Sequence, residues 1–149
     1  MLAKIKIDVS KLQREKMNLF DLFFPKKRKI YKKRYSVLQN KDEIEKLRKE
    51  AKEYLPKRLD DLANQHGFKY NNLRIKNVRS IWGSCSIKNN INLNLNLMKL
   101  DKKLIDYVIL HELCHTIEKN HSQKFWNLLE EHLPDAKKLR RELRKTQLN

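Results

Sequence analysis

The segment His111-Glu112-Leu113-Cys114-His115 constrains the structure of this chain more than any other part of its sequence. Residues four apart lie on the same face of an α-helix, so His111 and His115 would direct two imidazoles to one point, with Glu112 beside them. That arrangement suits a divalent metal ion that activates water. The segment therefore predicts a helix that forms part of a zinc-hydrolase site.

Apolar residues surround the motif on nearly every side of the predicted helix: Leu104, Ile105, Val108, Ile109, Leu110, Leu113 and Ile117. A helix of this composition is buried, and buried polar groups without partners cost free energy. A zinc ion with its water would satisfy both histidines and Glu112 together. We expect this helix to begin after Asp101, which suits its N-cap, and to run to about Lys119.

Catalytic zinc usually has three protein ligands, so the motif requires a third ligand. Glu118 would share a face with His111 and His115, but a rise of 1.5 Å per residue puts it roughly 10 Å along the axis from His111. His121 follows Lys119-Asn120, where the chain can turn back towards the helix. The spacing favours His121, and Glu118 is the alternative. Glu118 also stands where the longer metzincin signature needs a glycine, which argues against that group.

Four blocks of sequence resemble the YgjP-like metallopeptidase family, which is related to the SprT and WLM zincins. They are Trp82-Gly83-Ser84-Cys85-Ser86, Asn90-Ile91-Asn92-Leu93-Asn94, Asp106 to His115, and Asn120-His121-Ser122 with Phe125-Trp126. The resemblance covers about residue 42 to the C-terminus. It implies a zincin-like fold, one Zn²⁺ per chain held by His111, His115 and His121, and Glu112 as the catalytic base. Ile81 departs from the pattern, because a basic residue is expected there.

This ligand set predicts a metallopeptidase that acts on peptide or protein substrates. Zinc would lower the pKa of its bound water and polarise the scissile carbonyl, while Glu112 takes the proton and passes it to the leaving amine. Tyr107 and His132 are further candidates for a transition-state donor. Two alternatives are a metal-dependent nucleotide phosphohydrolase and a nucleic-acid-binding module with a zinc site.

The chain divides into a short basic extension, residues 1–41, and a domain at 42–149, which is enough for one hydrophobic core. The fold class is α+β, with a small twisted sheet against the active-site helix and further helices around it. A helix is predicted from Asp42 to His66, kinked or split at Pro56 and ended by Gly67. Ser122 can cap another helix, in which Phe125, Leu129 and Leu133 form the inner stripe up to Pro134.

Alternating residues predict two strands, at 73–78 and 91–97, joined through a tight connection at 82–85. The second strand has aliphatic residues on one face and Asn92, Asn94 and Asn96 on the other. We expect these asparagines to face solvent. If this strand is an edge strand, it offers its backbone to an extended peptide.

Charge is the other strong feature, since the formal net charge is +17. Seven of the nine residues from Lys26 to Arg34 are basic, and Lys137 to Lys145 holds a second cluster. Both clusters predict a contact with nucleic acid or another polyanion. The alternative is that they form a solvated face without a partner.

The remaining features concern location and the two cysteines. Cys85 and Cys114 are expected to be buried thiols, because two cysteines at this spacing make neither a disulfide framework nor a structural zinc site. The absence of a long apolar run and of a signal peptide predicts a cytoplasmic protein without a membrane segment.

Overall fold

The computed structural model describes residues 41–146, and these form a mixed sheet surrounded by helices. In chain order the elements are α1 (Lys41–His66), β1 (Asn72–Lys76), β2 (Gly83–Cys85), β3 (Asn90–Asn94), a 3₁₀ helix (Leu95–Lys99), α2 (Lys102–Cys114), α3 (Gln123–His132) and α4 (Ala136–Lys145). The predicted α+β class is confirmed. The basic run Lys26 to Arg34 lies outside the described residues. Within residues 41–146 no helix is long and apolar enough to cross a bilayer.

The first helix is continuous across Pro56, so the predicted split does not occur. Its buried side chains lie at helical spacing on both sides of the proline: Leu47, Ala51, Leu55, Leu59, Leu62 and Ala63. Burying such side chains contributes roughly 1.5–3 kcal/mol for each leucine, which offsets the hydrogen bond that proline cannot donate. The helix ends at His66, and Gly67 takes a positive φ of 73°, as the sequence predicts.

The sheet has the strand order β1-β3-β2, which corrects two expectations. Residues 82–85 do not form a simple connection, because Gly83–Cys85 is a strand that pairs antiparallel with β3. The strand β3 also pairs in parallel with β1, so it lies in the centre of the sheet and has no free edge. The edge of the sheet beside the helix that carries His111 and Glu112 therefore belongs to β2, which packs against α2.

The second predicted strand is shorter than expected, and two of its asparagines are buried. The strand stops at Asn94, whose side chain accepts a hydrogen bond from the backbone N–H of Asn96 and begins the 3₁₀ helix. The amide of Asn94 donates to the carbonyls of Val78 and Ile81 at 2.7 and 2.8 Å. Asn94 is 1 % exposed and Asn96 8 %, so the predicted solvent-facing positions were wrong for both. Asn94 instead holds the loop of residues 77–82 in place.

The helix α2 is buried as predicted but ends at Cys114 rather than near Lys119. The backbone N–H groups of Thr116 and Ile117 bond to the carbonyls of Leu113 and Cys114, and the Thr116 hydroxyl also donates to Leu113 O at 2.7 Å. These i→i−3 bonds tighten the chain and end the α-helix. At the other end, Arg58 of α1 makes a bidentate ion pair with Asp106 at 2.7 Å.

Replacing Asn94 tests its role in fixing the 77–82 loop. We expect Asn94→Ala to lower the free energy of unfolding by about 2–4 kcal/mol, because two loop carbonyls lose their donor inside the protein. Asn72→Ala is the control, since Asn72 is exposed and makes one long side-chain hydrogen bond of 3.4 Å. Urea unfolding followed by circular dichroism measures both, and equal losses in the two variants would contradict the assignment.

Candidate metal centre

Three histidines bring one ring nitrogen each to a single point. Possible ligand atoms of His111, His115 and His121 all lie within 4.8 Å of one another. The Nε2 atom of His121 is 3.0 Å from Nε2 of His111 and 3.1 Å from Nε2 of His115. Nitrogen atoms at about 2.0–2.1 Å from a tetrahedral zinc are about 3.3 Å apart, so the spacing fits a shared ion. Glu118, the alternative third ligand, is not part of this group.

The orientation of His115 explains why its Nε2 faces the other two rings. Its Nδ1 atom lies 2.8 Å from the backbone carbonyl of Glu118, which accepts a hydrogen bond and cannot donate one. The proton of the neutral ring is therefore on Nδ1, and Nε2 carries a lone pair. A backbone acceptor on the second ring nitrogen is the usual support of a metal-binding histidine. The donor set therefore fits a cation.

The electrostatics of the site favour neutral rings. Burial, followed by the nearby charges of His115, His121 and Arg140, lowers the pKa of His111 to about 3. Burial also lowers the pKa of His115 and of His121. All three imidazoles are therefore deprotonated at pH 7, which is the state that binds metal. The Nδ1 atom of His111 is buried and has no hydrogen-bond partner in residues 41–146.

The early end of α2 brings His121 back to the helix. After the tight turn at 115–117, Lys119 donates hydrogen bonds to the Ser86 carbonyl at 3.1 Å and to the Asn89 side chain. This ties the turn to the β2–β3 connection, where Asn89 has a positive φ of 57°. The chain then reverses so that His121 precedes α3. A helix running to Lys119 would not make this return.

Trp126 fixes the ring of His121 from the side of α3. The two rings are stacked, with centroids 5.5 Å apart and an interplanar angle of 25°. The indole Nε1–H also donates to the backbone carbonyl of His121 at 3.1 Å. On the helix α4, the Arg140 guanidinium lies 4.2 Å from the centroid of the Trp126 ring. The exposed third histidine is thus held by packing that begins in the C-terminal helix.

Glu112 lies in an apolar environment beside β2. It is 5 % exposed, and burial raises its pKa to about 8. A Cβ atom on Gly83 would lie 2.8 Å from both Cγ and Oε1 of Glu112. Only glycine leaves room for the carboxylate at this point of the strand. A carboxylate with a pKa near neutrality suits proton transfer, as a general base requires.

The two predicted candidates for a transition-state donor, Tyr107 and His132, lie in different places. The Tyr107 ring centroid is 5.9 Å from that of His111, and Tyr107 shares the wall of a cavity with Glu112. His132 instead pairs with His66 at 3.1 Å and packs against Phe68.

Cys114 is fully buried and burial raises the pKa of its thiol to about 12, whereas Cys85 is only partly buried. Sequence reasoning missed Gly83 as a determinant of the site, although it is one of only two glycines.

The fold and the histidine cluster together define a metallohydrolase, and comparisons with known proteins narrow the class. The family model of the YgjP-like metallopeptidase domain matches residues 5–146, so the chain belongs to the YgjP-like metallopeptidase family. The match begins at residue 5, and the predicted division at residue 41 stays a prediction. A comparison with curated proteins found no match.

Two solved structures are similar to this chain. The metallopeptidase zymogen of Pyrococcus abyssi abylysin is 26% identical, with a TM-score of 0.54, and the alignment covers 63% of this chain and 96% of that one. The metallopeptidase zymogen of Methanocaldococcus jannaschii jannalysin is 24% identical, with a TM-score of 0.53, covering 60% and 93%. The second likeness concerns the fold alone.

The contact between Trp126 and His121 predicts an effect on metal binding. We expect Trp126→Phe to weaken the binding of added Zn²⁺ by about 10-fold, because the carbonyl of His121 loses its indole donor. Asn127→Ala, an exposed change on the same helix, should leave the affinity unchanged. Titration against a chromophoric zinc chelator measures both dissociation constants. Equal affinities in Trp126→Phe and the wild type would show that the contact does not position His121.

Proposed function

We propose that this protein hydrolyses peptide bonds with one Zn²⁺ held by His111, His115 and His121. The observation that carries the proposal is the convergence of three neutral imidazole nitrogens next to a buried carboxylate, Glu112, in a metallopeptidase fold. Zinc bound there would polarise the scissile carbonyl and lower the pKa of a water molecule. Three protein ligands leave a fourth position for that chemistry.

Glu112 acts as the general base. Its carboxylate takes the proton of the attacking water and later delivers it to the leaving nitrogen, so that the amine departs neutral. Burial raises the pKa of Glu112 towards neutrality, where a carboxyl group can both take up and release a proton. Zinc, when bound, would lower this pKa through its charge and keep the carboxylate available for the first step. Tyr107 is the better placed of the two candidate transition-state donors, since His132 is paired with His66.

The substrate backbone would pair with the edge of β2. The Asn94 N–H donates to Trp82 O and the Ser86 N–H donates to Asn90 O, so alternate residues of this strand face β3. In an antiparallel ladder the backbone groups between them, those of Gly83 and Cys85, point to the opposite edge. Gly83 lies against Glu112, so an added strand would pass beside the carboxylate. This moves the predicted peptide-binding edge from residues 91–97 to 83–85.

Peptide hydrolysis is better supported than the two alternatives. The whole chain contains two glycines, and neither belongs to a glycine-rich loop that could cradle a nucleotide phosphate. A structural zinc site would fill its four positions with protein ligands, whereas three histidines converge in the described residues. Within the C-terminal basic cluster, Lys137 pairs with Glu130 and Arg140 lies over Trp126. Binding of a polyanion there stays a prediction, as does a cytoplasmic location.

Substitutions in the motif separate metal binding from catalysis. We expect Glu112→Gln to keep about one zinc per chain and to lose peptide hydrolysis, because the amide cannot accept the water's proton. His111→Ala, His115→Ala and His121→Ala should each lose zinc. Elemental mass spectrometry gives the metal content and a quenched-peptide assay gives the rate. Full activity in Glu112→Gln would contradict the proposed base, and zinc retained in His121→Ala would point to Glu118.

The close approach of β2 to Glu112 gives a second prediction. Gly83→Ala should retain zinc but lower the hydrolysis rate on the order of 100-fold, because the new methyl group displaces the carboxylate. Gly67→Ala is the matched control. Its Cβ would meet no atom within 4 Å, so only the positive φ is strained, at a cost of roughly 1–2 kcal/mol of stability. An unchanged rate in Gly83→Ala would show that Glu112 need not occupy the observed position.

A further inference from the structure

A cavity of about 280 Å³ opens directly onto Glu112 and His111. Its walls come from four parts of the described chain: the loop at 80–82, the start of β2, the helix α2 and the C-terminal helix α4. The volume lies below the roughly 300–1,000 Å³ of pockets that take whole small molecules. A cavity of this size beside a catalytic carboxylate suits one side chain of a longer substrate.

The chemistry of the walls is mainly apolar. Ile81 and Trp82 form one wall, Val108 lies on α2, and Leu143 reaches the cavity from α4. Tyr107 contributes its ring and is 3 % exposed. Besides Tyr107 and Ser80, the polar lining residues are His111 and Glu112, which lie where the proposed reaction would occur. No lysine or arginine in the described part of the chain lines the cavity, so an acidic side chain there would lose hydration without a direct ion partner, and Arg140 and Arg144 act on it only from beyond the lining.

The rim of the cavity carries the exposed side chain of Ile81. This isoleucine is 47 % exposed, although the part of the chain that the structure describes has only two other large exposed hydrophobic residues, Ile87 and Ile117. Its backbone carbonyl accepts a hydrogen bond from the buried Asn94 amide, which fixes the loop and the direction of the wall. The apolar surface of Ile81 is thus held beside the cavity by the core.

The position of the cavity relative to β2 connects it to a substrate chain. Trp82 and Gly83 both line it, and Gly83 begins the strand whose free edge passes Glu112. A peptide paired with that edge would place alternate side chains on the face towards α2. One such side chain would enter the cavity while the adjoining peptide bond lies at Glu112.

We infer that this cavity is a specificity pocket that takes a bulky aliphatic or aromatic side chain of the residue adjoining the scissile bond. The inference rests on the proposed peptidase function and names its substrate class. Substrates with leucine or phenylalanine at that position are preferred, and substrates with glutamate or aspartate there are rejected. Filling the cavity removes apolar surface from water on both partners, which favours the apolar side chain.

The closing experiment measures binding and cleavage separately on the full chain loaded with zinc. Binding uses the acetylated hydroxamates of leucine and of glutamate, which share a metal-chelating group and differ in the side chain. We expect the leucine compound to bind at least about 10-fold more tightly, as apolar pockets commonly discriminate. Cleavage uses a mixed peptide library read by mass spectrometry, with leucine or phenylalanine expected at one position flanking the cut bond.

Two lysine substitutions, which add the same charge at different positions, test whether the side-chain preference depends on the cavity. Ile81→Lys places a cation at the rim and should reduce the leucine-to-glutamate affinity ratio to about 1 or below. Ile87→Lys is the control, because Ile87 is 88 % exposed and does not line the cavity. It should leave the ratio at the wild-type value. Leu143→Ala should enlarge the pocket and shift the preference from leucine towards tryptophan.

The outcomes test the specificity pocket and the proposed peptidase function separately. Equal binding of the two hydroxamates, or a ratio that Ile81→Lys changes no more than Ile87→Lys does, overturns the pocket. Cleavage of library peptides without any preference beside the cut bond also overturns it while supporting the peptidase. A leucine preference in binding that Ile81→Lys reduces supports the pocket, even if no library peptide is cut. A failure to cut any library peptide would count against the peptidase function alone.

Discussion

The site depends on the burial of a polar cluster inside an apolar helix environment. The helix α2 buries Leu110, Leu113 and Cys114 almost completely, and Glu112 and His115 lie among them. Burial alone would cost free energy for each of these polar groups. The Glu118 carbonyl offsets part of this cost, because it accepts a hydrogen bond from Nδ1 of His115. The Nε2 atoms of the three histidines converge, and a divalent cation would satisfy them together.

The same burial determines what lies next to the motif. Because Glu112 is packed against β2, the strand must carry glycine at 83, and the edge of the sheet passes within van der Waals distance of the carboxylate. The antiparallel pairing of β2 with β3 then fixes which backbone groups face outwards. The requirement for a small residue and the position of the proposed substrate-binding edge therefore have one cause.

Local sequence signals predicted the parts of the site that local structure determines. His111, Glu112 and His115 follow from helical spacing, and the Lys119-Asn120 break suggested the return of the chain to His121. The end of α2 at Cys114 was not predictable in this way, because the turn that follows is held by the contact of Lys119 with Ser86, 33 residues earlier in the chain. Helical periodicity contains no information about such distant partners.

The wrong predictions about the sheet also arose because local sequence patterns do not show which distant segments are in contact. Alternation at 91–97 marks a strand with one apolar face, but a pattern of period 2 is identical for a central and an edge strand. What makes β3 central is its pairing with β1 and with the three-residue strand β2, which is too short to show a pattern. Asn94 has the sequence character of a solvent-facing residue, yet its amide binds two carbonyls of the 77–82 loop. Such a role becomes visible only when the loop's position is known.

The proposed metal site and the proposed specificity pocket depend largely on different structural elements. His121 is positioned by the turn after α2 and by Trp126 of α3, whereas the cavity beside Glu112 is walled by the 80–82 loop and Leu143 of α4. Two helices contribute to both: α2, and α4 through Arg140, which lies over Trp126. A substitution at Ile81 or Leu143 therefore alters the cavity without touching a metal ligand, and the apolar rim residue found here is a property of this chain rather than a requirement of the histidine cluster. Under these two proposals, side-chain selectivity can change while the groups proposed for hydrolysis are kept.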